Sequence, residues 1–199
     1  MRLEIKVDTR GYDAAFDRLV RAVATASTRT ANRLIEQAKT AGLREISKIY
    51  GLGPRTFEKY VQITLARDGE NEATIRVRGR ELPVYLFDPR QTKAGVTVRI
   101  KGRRILIPGA FLARMRSGHI GVFARGAYGG KGLNGRTSGR KFGRFVFLQG
   151  GRLPINEFYT FGPAEAFSNE DVVDTMQDRV FEQIDDVMRR ELRFALRSA

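Results

Sequence analysis

Apolar residues recur every three or four positions along the first quarter of the chain and so fall on one side of a helix. The stripe comprises Phe16, Leu19, Val20, Val23, Leu34, Ile35, Ala38, Ile46 and Ile49. This spacing predicts a long amphipathic helix over residues 13–50, with Asp13 as its cap and Gly51 or Gly53 at its end. Such a helix would be about 55 Å long. Gly42 interrupts the stripe, which leaves a kink or break open.

Strict alternation of apolar and polar residues then marks a β region, predicted over residues 61–160. Residues 61–65 and 73–77 alternate on either side of Asp68-Gly69, and residues 96–100 and 105–107 on either side of Lys101-Gly102-Arg103. Each pair predicts a β-hairpin. Further strands are expected at residues 3–7, 82–87, 119–124 and 144–149, with residues 82–87 at an edge because of Pro83. Residues 108–116 are expected to form a short helix or an irregular crossover.

The helical period returns near the C-terminus and predicts a last helix over residues 169–196, capped by Ser168 or Asn169. Its expected apolar side is formed by Val173, Met176, Val180, Ile184 and Val187, widened by Phe181, Met188, Leu192 and Ala195. We therefore predict an α+β fold in one domain, residues 1–199. In it a twisted, mainly antiparallel sheet packs against the long N-terminal helix and the C-terminal helix.

The positive charge of the chain is concentrated in the β region. The chain has 36 Lys and Arg against 22 Asp and Glu, a net charge of +14. Residues 89–156 hold fifteen of these cations and no acidic residue, so the rest of the chain sums to about −1. Lys and Arg beside phosphates release condensed counterions, so this segment favours a polyanion or an acidic protein as partner. A basic surface that only keeps the protein soluble is the alternative.

The composition argues against most catalytic chemistry. There is no cysteine and only one histidine, which excludes disulfides, thiolate nucleophiles and multi-histidine metal sites. We predict that the protein is not an enzyme and uses no cofactor or metal. No apolar run approaches the roughly 20 residues of a membrane span, and the first residues lack a signal-peptide core. Synthesis and assembly in the cytoplasm are therefore expected.

The candidate interaction residues are cations of the acid-free segment. Those of the second hairpin are Arg99, Lys101, Arg103 and Arg104, and those farther along are Lys131, Arg136, Arg140, Lys141, Arg144 and Arg152. Residues 126–143 contain seven glycines and are expected to form a mobile loop that orders on a partner. A nucleotide-binding loop would need a helix directly after the glycines, whereas the pattern predicts a strand at 144–149.

Residues 46–60 are similar to a helix-hairpin-helix nucleic-acid module, in which the turn Gly51-Leu52-Gly53 would present backbone N–H groups to a phosphate. However, Phe57 stands where that family has a small residue, and strand alternation begins at Val61. A helix C-cap followed by a connecting turn is the simpler interpretation.

Two further groups have side chains capable of acid–base or metal chemistry. Acidic residues line one side of the last helix, namely Asp171, Asp174, Asp178, Glu182 and Asp185. They suit a solvated face, and the alternatives are a magnesium site and a contact with the basic sheet of an adjacent copy. His119 lies between Gly118 and Gly121 with no Ser or carboxylate partner in its own segment, which argues against catalysis.

One phrase in the sequence resembles a known family. Gly151-Arg152-Leu153-Pro154-Ile155-Asn156-Glu157-Phe158-Tyr159 follows residues 111–115 and the run Ser117-Gly118-His119-Ile120-Gly121-Val122-Phe123. These residues, and the order of helices and strands around them, resemble the minor tail protein Z family of long-tailed bacteriophages and prophages. Phe158-Tyr159 departs from the family's usual aliphatic-aromatic pair, and the glycine-rich insertion is longer. Pro154 favours an extended edge segment suited to packing on a neighbour.

The resemblance implies a structural virion protein that completes the head-proximal end of the tail and supports head–tail joining and DNA positioning. It implies a homo-oligomer, as a hexameric ring, assembled in the host cytoplasm. The expected partners are the tail terminator and tail tube proteins or neck proteins, with packaged DNA as a further contact and no membrane. The alternative function is a sequence-nonspecific DNA-binding protein that uses the turn at residues 51–60 and the basic sheet.

Overall fold

The computed structural model describes residues 10–67, 69–125 and 155–198, with side chains from residue 15 onward. The strands expected at residues 3–7 and 144–149, the glycine-rich loop 126–143 and the turn residue Asp68 lie outside the described residues. The helices are α1 (Arg10–Tyr50), α2 (Pro54–Glu58), α3 (Pro163–Phe167) and α4 (Glu170–Ser198). The strands are β1 (Val61–Thr64), β2 (Thr74–Val77), β3 (Arg90–Thr92), β4 (Gly95–Ile100), β5 (Arg103–Pro108), β6 (Phe111–Arg114), β7 (Ile120–Arg125) and β8 (Ile155–Glu157). The predicted α+β class is confirmed.

The long first helix forms without interruption. α1 has 41 residues, about 61 Å at 1.5 Å per residue, and continues through Gly42, so no break occurs there. It begins at Arg10, and the prediction that Asp13 caps it was wrong because Asp13 lies inside the first turn. It ends where Gly51 adopts a φ of +71° and donates its N–H to the Ser47 carbonyl at 3.0 Å. Glycine reaches this left-handed conformation at no steric cost.

The contacts of the chain group into two compact units. The first comprises Met1–Ala41, Ile63–Arg76 and Asp174–Ala199, and the second comprises Gly42–Gln62 and Val77–Val173. α1 and α4 each contribute residues to both units. That the chain folds as a single domain stays a prediction.

The first unit is built where α1 meets α4. Ala22, Ala26 and Ala195 are buried together, with Met188 and Leu192 packed against them. Alanines let the two backbones approach closely. Asn32 also ties α1 to the chain after β1, because its amide oxygen accepts from the Ala66 N–H at 2.7 Å and its amide nitrogen donates to the Ala66 carbonyl at 3.0 Å.

The second unit holds two small antiparallel sheets and an aromatic core. One sheet has the order β3-β4-β5 and the other β6-β7-β8, while β1 and β2 form a separate two-stranded sheet. Tyr50, Phe87 and Phe161 pack ring against ring, with Phe161 at 4.4 Å from Tyr50 and 5.5 Å from Phe87 between ring centroids. The fully buried large side chains of this core include Ile46, Phe57, Leu82, Val84, Val96, Val98, Ile100 and Ile107.

Two predictions for the β region were wrong in detail. Residues 111–114, expected to be helical or irregular, form strand β6 and pair with β7 from Phe111↔Phe123 to Arg114↔Ile120. Residues 82–87 do not form an edge strand: only Pro83 bridges Tyr159, and Val84–Leu86 then form a turn of 3₁₀ helix. The predicted hairpin at residues 96–107 and the strand at residues 119–124 are confirmed.

The last helix begins as predicted, but it buries only part of its expected apolar side. Asn169 caps α4, because its Oδ1 accepts the Asp171 N–H at 3.0 Å. The buried residues of α4 are Val172, Val187, Glu191 and Ala195, whereas the expected core residues Val173, Phe181 and Ile184 are exposed. The buried carboxylate of Glu191 lies 2.7 Å from the guanidinium of Arg33. The sequence analysis did not predict a charged residue on the buried side of this helix.

Candidate functional site

The predicted basic hairpin is a tightly turned β4–β5 pair. Its turn consists of Lys101 and Gly102, whose φ angles are +49° and +71°, the signs that a two-residue type I′ turn requires. The register places Arg99 opposite Arg104. Two like charges on facing positions repel each other, so each gains from a nearby carboxylate or an external anion.

Asp88 neutralises one side of this hairpin. Its Oδ2 accepts a 2.7 Å hydrogen bond from Arg104 and lies 3.7 Å from the guanidinium of Arg90. The bond from Arg104 is the main cause that lowers the pKa of Asp88 below its ordinary value. Asp88 directly precedes the acid-free segment 89–156, and no local sequence pattern indicates that it folds back onto that segment.

The remaining hairpin cations divide into two kinds. The Lys101 ammonium lies 5.2 Å from the centroid of the Tyr50 ring, a cation–π contact, and burial raises the pKa of Tyr50. Arg99 and Arg103 are exposed, and within the described part of the chain no carboxylate lies within 4.0 Å of either guanidinium. The structure therefore leaves these two arginines available to an anionic partner. Six other predicted interaction residues, Lys131, Arg136, Arg140, Lys141, Arg144 and Arg152, lie outside the described residues.

His119 has a partner that its own segment could not reveal. Its Nε2 lies 2.9 and 3.0 Å from the two carboxylate oxygens of Glu157, on strand β8. The Tyr159 hydroxyl donates to the same carboxylate at 2.8 Å, and this bond is the main cause that raises the pKa of Tyr159. Gly121 leaves room for the carboxylate, because a Cβ there would lie 2.6 Å from Glu157 Oε1. The cluster fastens the β6–β7 turn to β8.

The geometry of residues 46–60 gives little support to a helix-hairpin-helix module. The second helix, α2, spans five residues, and Phe57 within it is fully buried. The first helix ends at Gly51 as an ordinary C-cap requires. Nucleic-acid binding through this turn stays a hypothesis.

The five acidic side chains predicted to line one side of the last helix are all exposed. Of the five predicted, Glu182 lies 3.7 Å from Arg179. Among residues 10–67, 69–125 and 155–198, no group of three or more His, Asp or Glu side chains could hold a metal ion.

Comparison with known families decides the class of protein. The family model for prophage minor tail protein Z matches residues 11–199, nearly the whole chain. The chain belongs to the prophage minor tail protein Z family. No curated protein and no solved structure gave a match.

Membership makes this chain a phage minor tail protein, a virion component that interacts with other tail components. The resemblance carried by residues 111–123 and 151–159 is thereby confirmed. None of the described helices is long and apolar enough to cross a bilayer. For a minor tail protein Z family member, the basic hairpin and the exposed faces of α4 are candidate contact surfaces.

Proposed function

We propose that this member of the minor tail protein Z family completes the head-proximal end of the phage tail and supports head–tail joining and DNA positioning. In this role it forms a homo-oligomeric ring and assembles with the tail terminator and tail tube proteins or with neck proteins. Family membership supports a place in the tail, and the basic hairpin supports contact with an acidic neighbour.

The observation that carries this proposal is that only some of the hairpin cations are paired with a carboxylate. Arg104 is held by Asp88 at 2.7 Å, whereas Arg99 and Arg103 are exposed with no described carboxylate in reach. The short turn and the buried Val98 and Ile100 hold the hairpin backbone in place. Cations positioned in advance steer association with an acidic surface and fix its register.

The test is charge reversal at the two exposed positions in a phage genome that encodes the protein. With Arg99→Glu combined with Arg103→Glu, we expect full heads and tails to accumulate without joining, and infectious yield to fall. The matched control reverses Lys93 and Arg116, exposed cations in turns away from Lys101-Gly102. Wild-type yield from the hairpin variant, with the variant protein incorporated, would contradict the proposal.

Binding assays with purified protein distinguish a protein partner of the hairpin from DNA. Contact with duplex through six to ten phosphates would make affinity fall roughly 10³–10⁵-fold between 50 and 200 mM salt. Under the proposal, the hairpin variant loses binding to tail proteins. If it instead retains that binding and loses only salt-sensitive binding to duplex, the hairpin contacts DNA.

A further inference from the structure

Helix α4 carries its charges in two separate halves. Residues 174–186 contain the acidic residues Asp174, Asp178, Glu182, Asp185 and Asp186 and a single arginine. Residues 187–198 contain Arg189, Arg190, Arg193 and Arg197 and a single acidic residue. That residue, Glu191, is buried and bonded to Arg33. The exposed charged side chains of the second half are therefore all basic.

Six of these charges form a row along one side of the helix. They are Asp178, Glu182, Asp186, Arg189, Arg193 and Arg197, at intervals of four, four, three, four and four residues. Side chains three or four residues apart lie on the same side of a helix. All six are exposed. The buried residues along the same part of α4, Val187, Glu191 and Ala195, lie on the opposite side of the helix.

Ion pairs among the described residues do not account for this row. The described ion pairs of α4 are Arg179–Glu182 at 3.7 Å and Arg33–Glu191 at 2.7 Å, and in the described residues the other five members of the row lack an ion pair. The helix macrodipole favours acids in the first turn and bases in the last. However, α4 begins at Glu170, so Asp178, Glu182, Asp186 and Arg189 lie well inside both ends.

We propose that the row is a contact surface for a second copy of this chain, with the two α4 helices antiparallel about a two-fold axis. The row then matches itself: Asp178 faces Arg197 of the partner subunit, Glu182 faces Arg193 of the partner subunit, and Asp186 faces Arg189 of the partner subunit. Symmetry repeats each pair, so one contact engages all twelve charges.

Apolar side chains on the same helix strengthen the case for a protein occupant. Phe181 is 74% exposed and Leu196 is 48% exposed. Large apolar groups beside charges of both signs are typical of a protein interface and do not suit a phosphate backbone. The carboxylates of the first half would repel a polyanion lying along the row. The contact is independent of the proposed tail role, because it pairs free chains or two rings.

The test uses two opposite reversals and their mixture. One variant makes the row all basic (Asp178→Arg, Glu182→Arg, Asp186→Arg), and the other makes it all acidic (Arg189→Glu, Arg193→Glu, Arg197→Glu). Light scattering at low salt should show wild type at twice the mass that remains once added salt screens the contact. Each variant alone should lose this pairing, an equimolar mixture should restore it, and the six-fold exchange should pair like wild type.

Three results would overturn the proposal. Both variants could keep the wild-type mass, which would place self-association on another surface. Wild type could have the same mass at low and high salt while the all-acidic variant loses binding to a short duplex, which would make the arginines a polyanion site. The mixture could stay unpaired although circular dichroism shows both variants folded, which would exclude the antiparallel match.

Discussion

Arg104 donates a 2.7 Å hydrogen bond to Asp88, the acid that directly precedes the acid-free segment 89–156. At the other end, Glu157 is the first acid after this segment, and it bonds His119 within it. Both flanking acids therefore fold back and hold a residue of the segment. The free cationic surface of the hairpin is narrower than the sequence suggests and centres on Arg99 and Arg103.

The pairing of Asp88 with Arg104 should be visible as a pH effect. Since the pKa of Asp88 is lowered in the folded state, the pair contributes stability above the ordinary pKa of aspartate. That contribution is lost as pH falls through the lowered value. We expect NMR titration to give Asp88 a pKa below the ordinary aspartate range in wild type, and closer to it in Arg104→Gln. An equal Asp88 pKa in both proteins would show that Arg104 is not the cause.

Gly121 should tolerate no side chain. A Cβ there would lie 2.6 Å from Glu157 Oε1 and 2.8 Å from the Phe123 ring, so Gly121→Ala must displace both groups. We expect a loss of roughly 1–3 kcal/mol in the free energy of unfolding, measured with denaturant.

Gly53→Ala is the matched control for Gly121→Ala. A Cβ at Gly53 meets nothing within 4 Å, and its φ of −60° suits any residue. We expect a change below about 1 kcal/mol. Equal changes in the free energy of unfolding for the two substitutions would mean that Glu157 and Phe123 do not occupy the position of a Cβ at Gly121.

The buried carboxylate of Glu191 should depend on Arg33. The Glu191 side chain is 4% exposed, and Arg33→Met would leave it without this guanidinium, at a cost of about 1–3 kcal/mol. Adding Glu191→Met should recover most of that loss, because both partners are then apolar. Arg44→Met, at an exposed position on the same helix, is the control. If the double variant is less stable than Arg33→Met alone, the pair does not act as a unit.

The single-domain prediction is testable because the contacts form two units. α1 and α4 each run without interruption through both units, so melting one unit would break both helices. We expect one calorimetric transition in which the calorimetric and van't Hoff enthalpies agree. Two resolved transitions would show two domains.

Elements with strong local signals were predictable from the sequence. The β4–β5 hairpin combines alternation with a Lys-Gly turn, and both long helices have extended apolar periods. Strand β6 was missed because its four residues directly follow Pro108-Gly109-Ala110 and carry too short a pattern to identify. Residues 82–87 show a strand pattern, yet pairing beyond Pro83 gives way to a 3₁₀ turn.

The ionic contacts were less predictable because they join residues far apart in sequence. His119 and Glu157 are 38 residues apart, and nothing local links them. Glu191 did leave a signal, since it falls midway between Val187 and Ala195 at helical spacing and therefore on the buried side of α4. A prediction from helical spacing alone, without regard to residue type, would have placed Glu191 on the buried side. The spacing of the charge row of α4 is also visible in the sequence, but the prediction covered only the acidic residues of this helix.

The most direct test of the proposed tail role is to locate the protein in the particle. Electron microscopy of intact virions carrying a gold-labelled tag on this chain should show label at the junction between head and tail. A closed ring of density should occupy the same position in a reconstruction of that junction. Label at the distal tip, along the tail tube or absent from mature virions would contradict tail completion at the head-proximal end.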